Sequence, residues 1–203
     1  MYIVDDDAAM GRALCRLLGT VGLEAVAFSS AQAFLEHPRH EGAACLVLDV
    51  RMPGVGGLDL QTQLGNAQNT MPIVFITGHG NVPTSVRAMK GGAIDFLQKP
   101  FNDDELLVAV QRAIAVSRQA WSENAGRAEI ERRLGLLTRR ERQVLALVVT
   151  GRLNKQIAAE LGAAEKTIKI HRGRVMQKMQ ASSVADLVRM TERLGIPGVS
   201  PIK

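Results

Sequence analysis

A handful of residues in this chain have types and positions that suit chemistry on a phosphoryl group. Asp5, Asp6 and Asp7 follow the short apolar run Tyr2–Val4. Asp49 ends the run Cys45–Leu48, shortly before the chain breaks at Pro53 and Gly54. Thr77 ends Ile73–Ile76, and Lys99 with Pro100 follows Ile94–Leu97. If these runs are strands of one parallel sheet, all of these groups emerge at the same rim, where open α/β folds place their sites. Asp5 or Asp6, together with Asp49, then brings carboxylates within a few ångströms of one another. At about 4 Å, two such charges repel by about 4 kcal/mol at an effective dielectric near 20. The cluster therefore calls for a cation. Every candidate ligand is an oxygen and no His or Cys joins them, which favours Mg²⁺ (or Mn²⁺). The set suits phosphorylation of a carboxylate. Asp49 is the nucleophile, Lys99 a point charge for the transition state, and Thr77 a hydroxyl donor to a phosphoryl oxygen.

The elements that must position these groups alternate regularly. Strands are expected at Tyr2–Val4, Glu24–Phe28, Cys45–Leu48, Ile73–Ile76 and Ile94–Leu97. Helices are expected near Ala8–Val21, Ser30–Glu36, Leu58–Leu64 and Val82–Lys90, with a last one starting near Asn102. Five βα units of this length imply an α/β fold with a parallel sheet covered on both faces. Asp7 is expected to be a helix N-terminal acid rather than a metal ligand, because acids favour that end of the helix dipole. Gly56-Gly57 reads as loop flexibility, and His79 as a solvent-facing loop residue.

Composition bounds the rest. The 203 residues are 46% hydrophobic, enough for real cores. No apolar run approaches a membrane span, and the start shows no basic-then-apolar leader. Cys15 and Cys45 fit no metal spacing and read as reduced, partly buried thiols. Charge is split: residues 1–116 carry 8 Lys+Arg against 12 Asp+Glu, a net of −4, and residues 117–203 carry 17 against 8, a net of +9. That asymmetry predicts two domains with different partners, the basic one suited to nucleic acid. Aromatics are only 3% of the chain, which argues against base stacking as the mode of binding.

The last helix of the first half continues. Leu106, Leu107, Val110 and Ile114 recur at helical spacing, and residues 117–136 read as a helical linker. Ile130, Leu134 and Leu137 resume an apolar stripe that suits either a short coiled coil between two chains or an intramolecular docking face. From Leu137 the chain is strand-free. Thr138 and Glu141 form a capping-box pattern, the following helix stops at Gly151, and Asn154–Leu161 is a short helix ended by Gly162. A third helix is expected over about Glu165–Met179 and a fourth over about Ser183–Leu194. Helix, tight glycine-containing turn, helix is the helix-turn-helix pattern. On the third helix Ile168, Val175 and Met179 share a narrow arc with His171 at its edge. Lys166, Lys169, Ile170, Gly173, Arg174 and Gln177 lie opposite, a cationic surface suited to a major groove.

Two resemblances cover nearly the whole chain. IVDDD, LVLDVRMPGVGGLDL, IVFITGHGNVPTSVRAMKGGA and DFLQKPF resemble, in order and spacing, the motif blocks of the receiver domain of bacterial two-component response regulators. That resemblance implies a (βα)5 flavodoxin-like domain over 1–116. It makes Asp5 and Asp6 the acidic pair, Asp49 the phosphoacceptor, and the Arg51 backbone carbonyl a metal ligand. It makes Thr77 and Lys99 the switch and phosphate partners and Phe96 the rotating switch aromatic. Gly78 takes a place usually held by a small residue, which lets phosphate approach.

LTRRERQVLALVVTGRLNKQIAAELG followed by KTIKIHRGRVMQKM resembles the LuxR-type helix-turn-helix, an all-α four-helix domain expected over 137–203. Joined to such a receiver it is similar to the NarL/FixJ family, with the FixJ-like branch the better match. By resemblance, Lys169, Ile170 and Gly173 face bases, and Arg152, Asn154, Lys155, Thr167, His171 and Lys178 lie near phosphates. Ala164 departs from the family, which commonly has Ser there. The recognition helix is therefore expected to start elsewhere or to be weaker at its groove-entering end.

The resemblance implies a cytoplasmic transcription regulator switched by phosphorylation of Asp49. The implied partners are a sensor histidine kinase, double-stranded promoter DNA, RNA polymerase and, when phosphorylated, a second copy of the chain through the region Val82–Leu97. An aspartyl-phosphate enzyme would need a second acid two residues after Asp49, and that position is Arg51. A binder indifferent to phosphorylation does not account for the acidic pocket, and a ligand-sensing regulator does not account for the receiver motifs.

Overall fold

A computed structural model describes residues 1–38, 42–67, 69, 71–78 and 80–196. It divides into two compact units, Met1–Ser122 and the residues from Glu123 on, a boundary that falls inside the stretch expected to be linker. No described helix is long and apolar enough to cross a membrane.

The first unit is a five-stranded parallel sheet of order β2-β1-β3-β4-β5. Its strands are β1 (Tyr2–Val4), β2 (Val26–Phe28), β3 (Leu46–Asp49), β4 (Ile73–Thr77) and β5 (Asp95–Gln98). Around it lie α1 (Ala8–Thr20), α2 (Ala31–Glu36), α3 (Gly57–Asn66), α4 (Val82–Lys90) and the first part of α5 (Asp103–Gly135). Alternate strand residues feed opposite layers. Val4, Leu48 and Phe75 pack with Phe34, Leu60 and Ala88 from α2, α3 and α4. Ile3, Val47, Val74 and Ile76 pack with Leu14 and Leu18 of α1 and Leu106 and Val110 of α5. Both faces of the central strands are therefore buried, as their continuous apolar runs require.

Element edges move by a residue or two from the sequence reading, for identifiable reasons. β3 takes in Asp49, whose backbone pairs with Ile76. β2 begins at Val26 because β1 begins only at Tyr2; the Met1 amine donates to the Glu24 carbonyl instead, at 2.9 Å. β5 shifts forward to Asp95–Gln98 because Gln98 pairs with Thr77. Ser30 caps α2, its hydroxyl accepting from the Ala33 N–H at 3.2 Å. Asp7 caps α1 as expected, accepting from the N–H groups of Ala9 (2.8 Å) and Met10 (3.2 Å). Cys15 and Cys45 are free thiols; burial pushes Cys45 up to about 12.

The second unit contains the end of α5, then α6 (Arg139–Val148), α7 (Asn154–Glu160), α8 (Glu165–Met179) and α9 (Val184–Arg193). Its core joins Val144, Val148, Ile157, Ile168, Val175, Met179 and Leu187 with Ile130 and Leu137. The apolar stripe at the end of α5 is therefore used within this unit. The capping box of α6 is present: the Thr138 N–H donates to Glu141 Oε2 at 2.8 Å, and the Glu141 N–H donates to the Thr138 hydroxyl at 3.3 Å. Between α7 and α8 the chain turns at Gly162, whose φ of 60° is a left-handed conformation that side chains resist.

Candidate phosphoacceptor pocket and nucleic-acid interface

Asp49 closes β3 and is 5% exposed. Its Oδ2 accepts from the Arg51 backbone N–H at 2.7 Å. Lys99, just past β5, donates to Asp49 Oδ1 at 3.0 Å and to Asp5 Oδ2 at 2.6 Å. Asp5, at the end of β1, accepts from the Asp7 N–H at 2.9 Å through its other oxygen. Thr77 is buried at the end of β4, and its carbonyl accepts from the Lys99 N–H at 2.7 Å. Four residues from four strand ends thus meet at one rim, as parallel order dictates.

Electrostatics follow from one ammonium serving two buried carboxylates. Burial is the largest influence on Asp49 and raises its pKa; the Lys99 and Arg51 hydrogen bonds oppose it, and repulsion from Asp5 adds to it. Burial works against the Lys99 ammonium, but its hydrogen bonds to Asp5 and Asp49 outweigh that and hold its pKa above the usual lysine value. Asp6 does not join this contact network: it is exposed, and no group of three or more His, Cys, Asp or Glu among the described residues is assembled closely enough to hold a metal ion. Lys99 currently stands between the two buried acids.

Phe96 is half-buried in β5, with its ring 6.3 Å from that of Phe75. A Cβ on Gly80 would lie 3.3 Å from the edge of that ring, so Phe96 rests against the β4–α4 loop. A Cβ on Gly78 would meet nothing within 4 Å, which leaves the space beside Thr77 open. Gly57 is the correction here. It is not a flexible loop residue but the first residue of α3, and a Cβ there would lie 2.2 Å from the Asp49 carbonyl oxygen. Glycine lets the start of α3 lie on the backbone of Asp49. His79 lies outside the described residues.

On α8 the two arcs separate as expected. Ile168, Val175 and Met179 are fully buried, while Lys166, Thr167, Lys169, Ile170, Gly173 and Arg174 are exposed. Ile170 is 50% exposed, an apolar side chain presented outward among cations. Despite Ala164, α8 starts at Glu165, with Ala164 extended and contributing no side-chain cap.

Other expected contacts are already engaged within the unit. Lys178 turns inward: its ammonium donates to Glu141 Oε2 at 2.7 Å and to the Leu136 carbonyl at 3.2 Å. Its charge is thereby matched by a buried carboxylate within the unit. Arg152 pairs with Glu160. Asn154 Oδ1 accepts from Arg172 at 3.1 Å, and Lys155 is exposed. His171 is half-buried, its Nδ1 buried with no hydrogen-bond partner among the described residues. The sequence does not single out Arg172, and it marks Glu141 as a capping-box acid without showing its pairing with Lys178.

A doubly covered parallel sheet with two acids and a lysine at its rim, followed by a basic helix-turn-helix unit, defines a signal receiver joined to a DNA reader. Residues 1–111 match the family described as "Response regulator receiver domain", and residues 135–191 match "Bacterial regulatory proteins, luxR family". The chain is 52% identical over 196 residues to Nodulation protein W of Bradyrhizobium diazoefficiens, covering 97% of this chain and 86% of that protein. It is 43% identical over 196 residues to Transcriptional regulatory protein FixJ of the same organism, covering 97% and 96%. Among solved structures it resembles Response Regulator StyR with a TM-score of 0.87 at 46% identity, covering 95% of this chain and 97% of that one. The chain belongs to the response regulators that carry a LuxR-type DNA-binding domain, a family of transcription regulators rather than enzymes. Receiver domains of this family generally bind Mg²⁺.

Proposed function

We propose that this protein controls transcription through phosphorylation of Asp49 by a sensor histidine kinase. The observation that carries this reading is the shared lysine: Lys99 lies 2.6 Å from Asp5 and 3.0 Å from Asp49, beside buried Thr77. An all-oxygen donor set with two buried carboxylates fits a hard divalent cation. Asp5, Asp6, Asp49 and the Arg51 carbonyl are the residues that would hold Mg²⁺ (or Mn²⁺), which supplies neutralisation of carboxylate and phosphoryl oxygens.

In the transfer, an Asp49 carboxylate oxygen forms the O–P bond as the P–N bond to the kinase histidine breaks. The electron pair leaves with the imidazole nitrogen, which takes a proton from solvent. Lys99 already lies against the accepting oxygen, so its charge is in place where charge develops. With a phosphoryl group on Asp49, the Lys99 ammonium pairs with it and the Thr77 hydroxyl donates to it. Thr77 then draws the β4–α4 loop inward and Phe96, which rests on Gly80, turns with it. That remodels the surface Val82–Leu97, where Val82, Val86 and Met89 are exposed and a second copy docks. Carrying such a switch from 1:99 to 99:1 takes about 5.5 kcal/mol of differential stabilisation.

The paired second units then bind promoter DNA at two half-sites, roughly one helical turn apart. Lys169, Ile170 and Gly173 face bases. Lys166 and Arg174 share that groove-facing arc, Arg152, Asn154, Lys155, Thr167, His171 and Lys178 lie near phosphates, and RNA polymerase is the downstream partner in the cytoplasm. Incubation with a small phosphodonor and Mg²⁺, followed by peptide mass spectrometry, tests the first step. The label is expected on the peptide containing Asp49 and absent in Asp49→Asn; a label elsewhere overturns the assignment.

A further inference from the structure

We infer that Arg133, in the last turn of α5, is a positioning residue for the recognition helix α8, so that the end of α5, residues 123–135, is a working part of the DNA-reading unit rather than a linker. This deepens the proposed DNA-binding function and rests on it.

The last carbonyls of a helix have no intrahelical partners, and this end carries the negative pole of the dipole. α8 stops at Gln180, in a left-handed conformation at φ 54°, the only non-glycine residue with positive φ among those described. The turn satisfies two carbonyls from within: the Gln180 N–H donates to Gln177 at 3.1 Å and the Ala181 N–H to Met176 at 3.0 Å. The Met179 carbonyl is satisfied from outside. Arg133 Nη1 donates to it at 3.1 Å.

Arg133 is itself held. Its Nε donates to Glu129 Oε1 at 2.8 Å, one turn back along α5, and its side chain is only 19% exposed. Arg132 grips the same carboxylate from the solvent side, at 2.7 and 2.8 Å. The adjoining residue of α8, Lys178, reaches the Leu136 carbonyl and Glu141. The last two residues of α8 are therefore fastened to the end of α5 and the start of α6. Beneath them Ile130, Leu137 and Met179 share one core. α8 is thus held at its far end, while its cationic arc is free for a groove. A guanidinium fixed by a carboxylate on one helix and bonded to a terminal carbonyl of another sets axial position and rotation together, and both decide which bases Lys169 and Ile170 meet.

The test uses the full chain and a duplex enriched from a random-sequence library by the phosphorylated wild-type protein. Affinities for that duplex and for a scrambled one are measured at one salt concentration for wild type, Arg133→Ala, Arg132→Ala and Glu129→Gln. The wild-type ratio is expected to fall by roughly tenfold in Arg133→Ala, about the cost of one mismatched base pair. Scrambled-duplex affinity is expected to match that of Arg132→Ala, which removes the same charge and keeps the wild-type ratio. Glu129→Gln is expected to lower the ratio in the same direction, and it carries the test if Arg133→Ala does not fold by circular dichroism. An unchanged ratio in Arg133→Ala, or in Glu129→Gln where that variant carries the test, overturns the inference, as does an equal loss on both duplexes. Failure of the wild type to enrich any sequence overturns the DNA-binding reading instead.

Discussion

At the residue scale, the site side chains are set by contacts both near and far in sequence. Asp49 is paired with Lys99, and Gly57 packs against its backbone. A Cβ at position 57 would lie 2.2 Å from the Asp49 carbonyl, so Gly57→Ala must push α3 or β3 aside. The expected cost is about 1–3 kcal/mol of receiver stability, as for other overpacked sites, read by urea unfolding, with slower phosphorylation of Asp49 in the same samples. Glu141 makes a second prediction. Hydrogen bonds from Lys178 and from the Thr138 backbone hold its carboxyl at about 2, below the ordinary value of 4.5. A depressed folded-state pKa gives stability that is present above about pH 4.5 and is lost as pH falls toward 2. Thermal unfolding of the full chain followed through the helical second unit should lose stability across that window, and Glu141→Gln should flatten the loss. A wild type as stable at pH 2.5 as at pH 6 would remove Glu141 as a contributor.

At the element scale, strand ends and helix ends do the positioning, and this was the part most legible in the sequence. Apolar runs of strand length, each ending in a reactive residue, foretell that Asp5, Asp49, Thr77 and Lys99 converge, because parallel strands all end at one rim. The capping pattern Thr138–Glu141 and the stop at Gly162 likewise locate helices by local rules. What was not legible came from packing between distant residues. A glycine needed for close approach looks like one needed for freedom, so Gly56-Gly57 reads as loop in the sequence alone. That Lys178 also pairs with Glu141, 37 residues earlier, is visible only once the chain is folded. The start of α8 offers a prediction here. It begins at Glu165 with no side-chain cap from Ala164. Ala164→Ser is expected to stabilise the second unit by about 1 kcal/mol, measured by urea unfolding; no gain would mean that the first turn of α8 is already satisfied in another way.

At the scale of the whole molecule, the charge division matches a division of labour. The acidic half carries the receiver domain with its Asp5–Lys99–Asp49 cluster, and the basic half carries the LuxR-type helix-turn-helix. α5 belongs to both: Leu106 and Val110 pack in the first core, and Ile130 in the core of the second unit. The apolar positions of α5 were visible in the sequence. That its last turns would brace α8 was not, because Arg133 and Met179 are 46 residues apart and linked through a backbone carbonyl that no sequence pattern records.

A phosphoryl group on Asp49 is expected to convert this protein from one association state to another. The mass in solution by light scattering tests this most directly, with Mg²⁺ alone and with Mg²⁺ plus a small phosphodonor, for wild type and Asp49→Asn. The expected result is a shift from monomer to dimer that requires both the donor and Asp49. A wild type labelled at Asp49 whose mass does not change, or an Asp49→Asn variant that dimerises with donor as the wild type does, would contradict it.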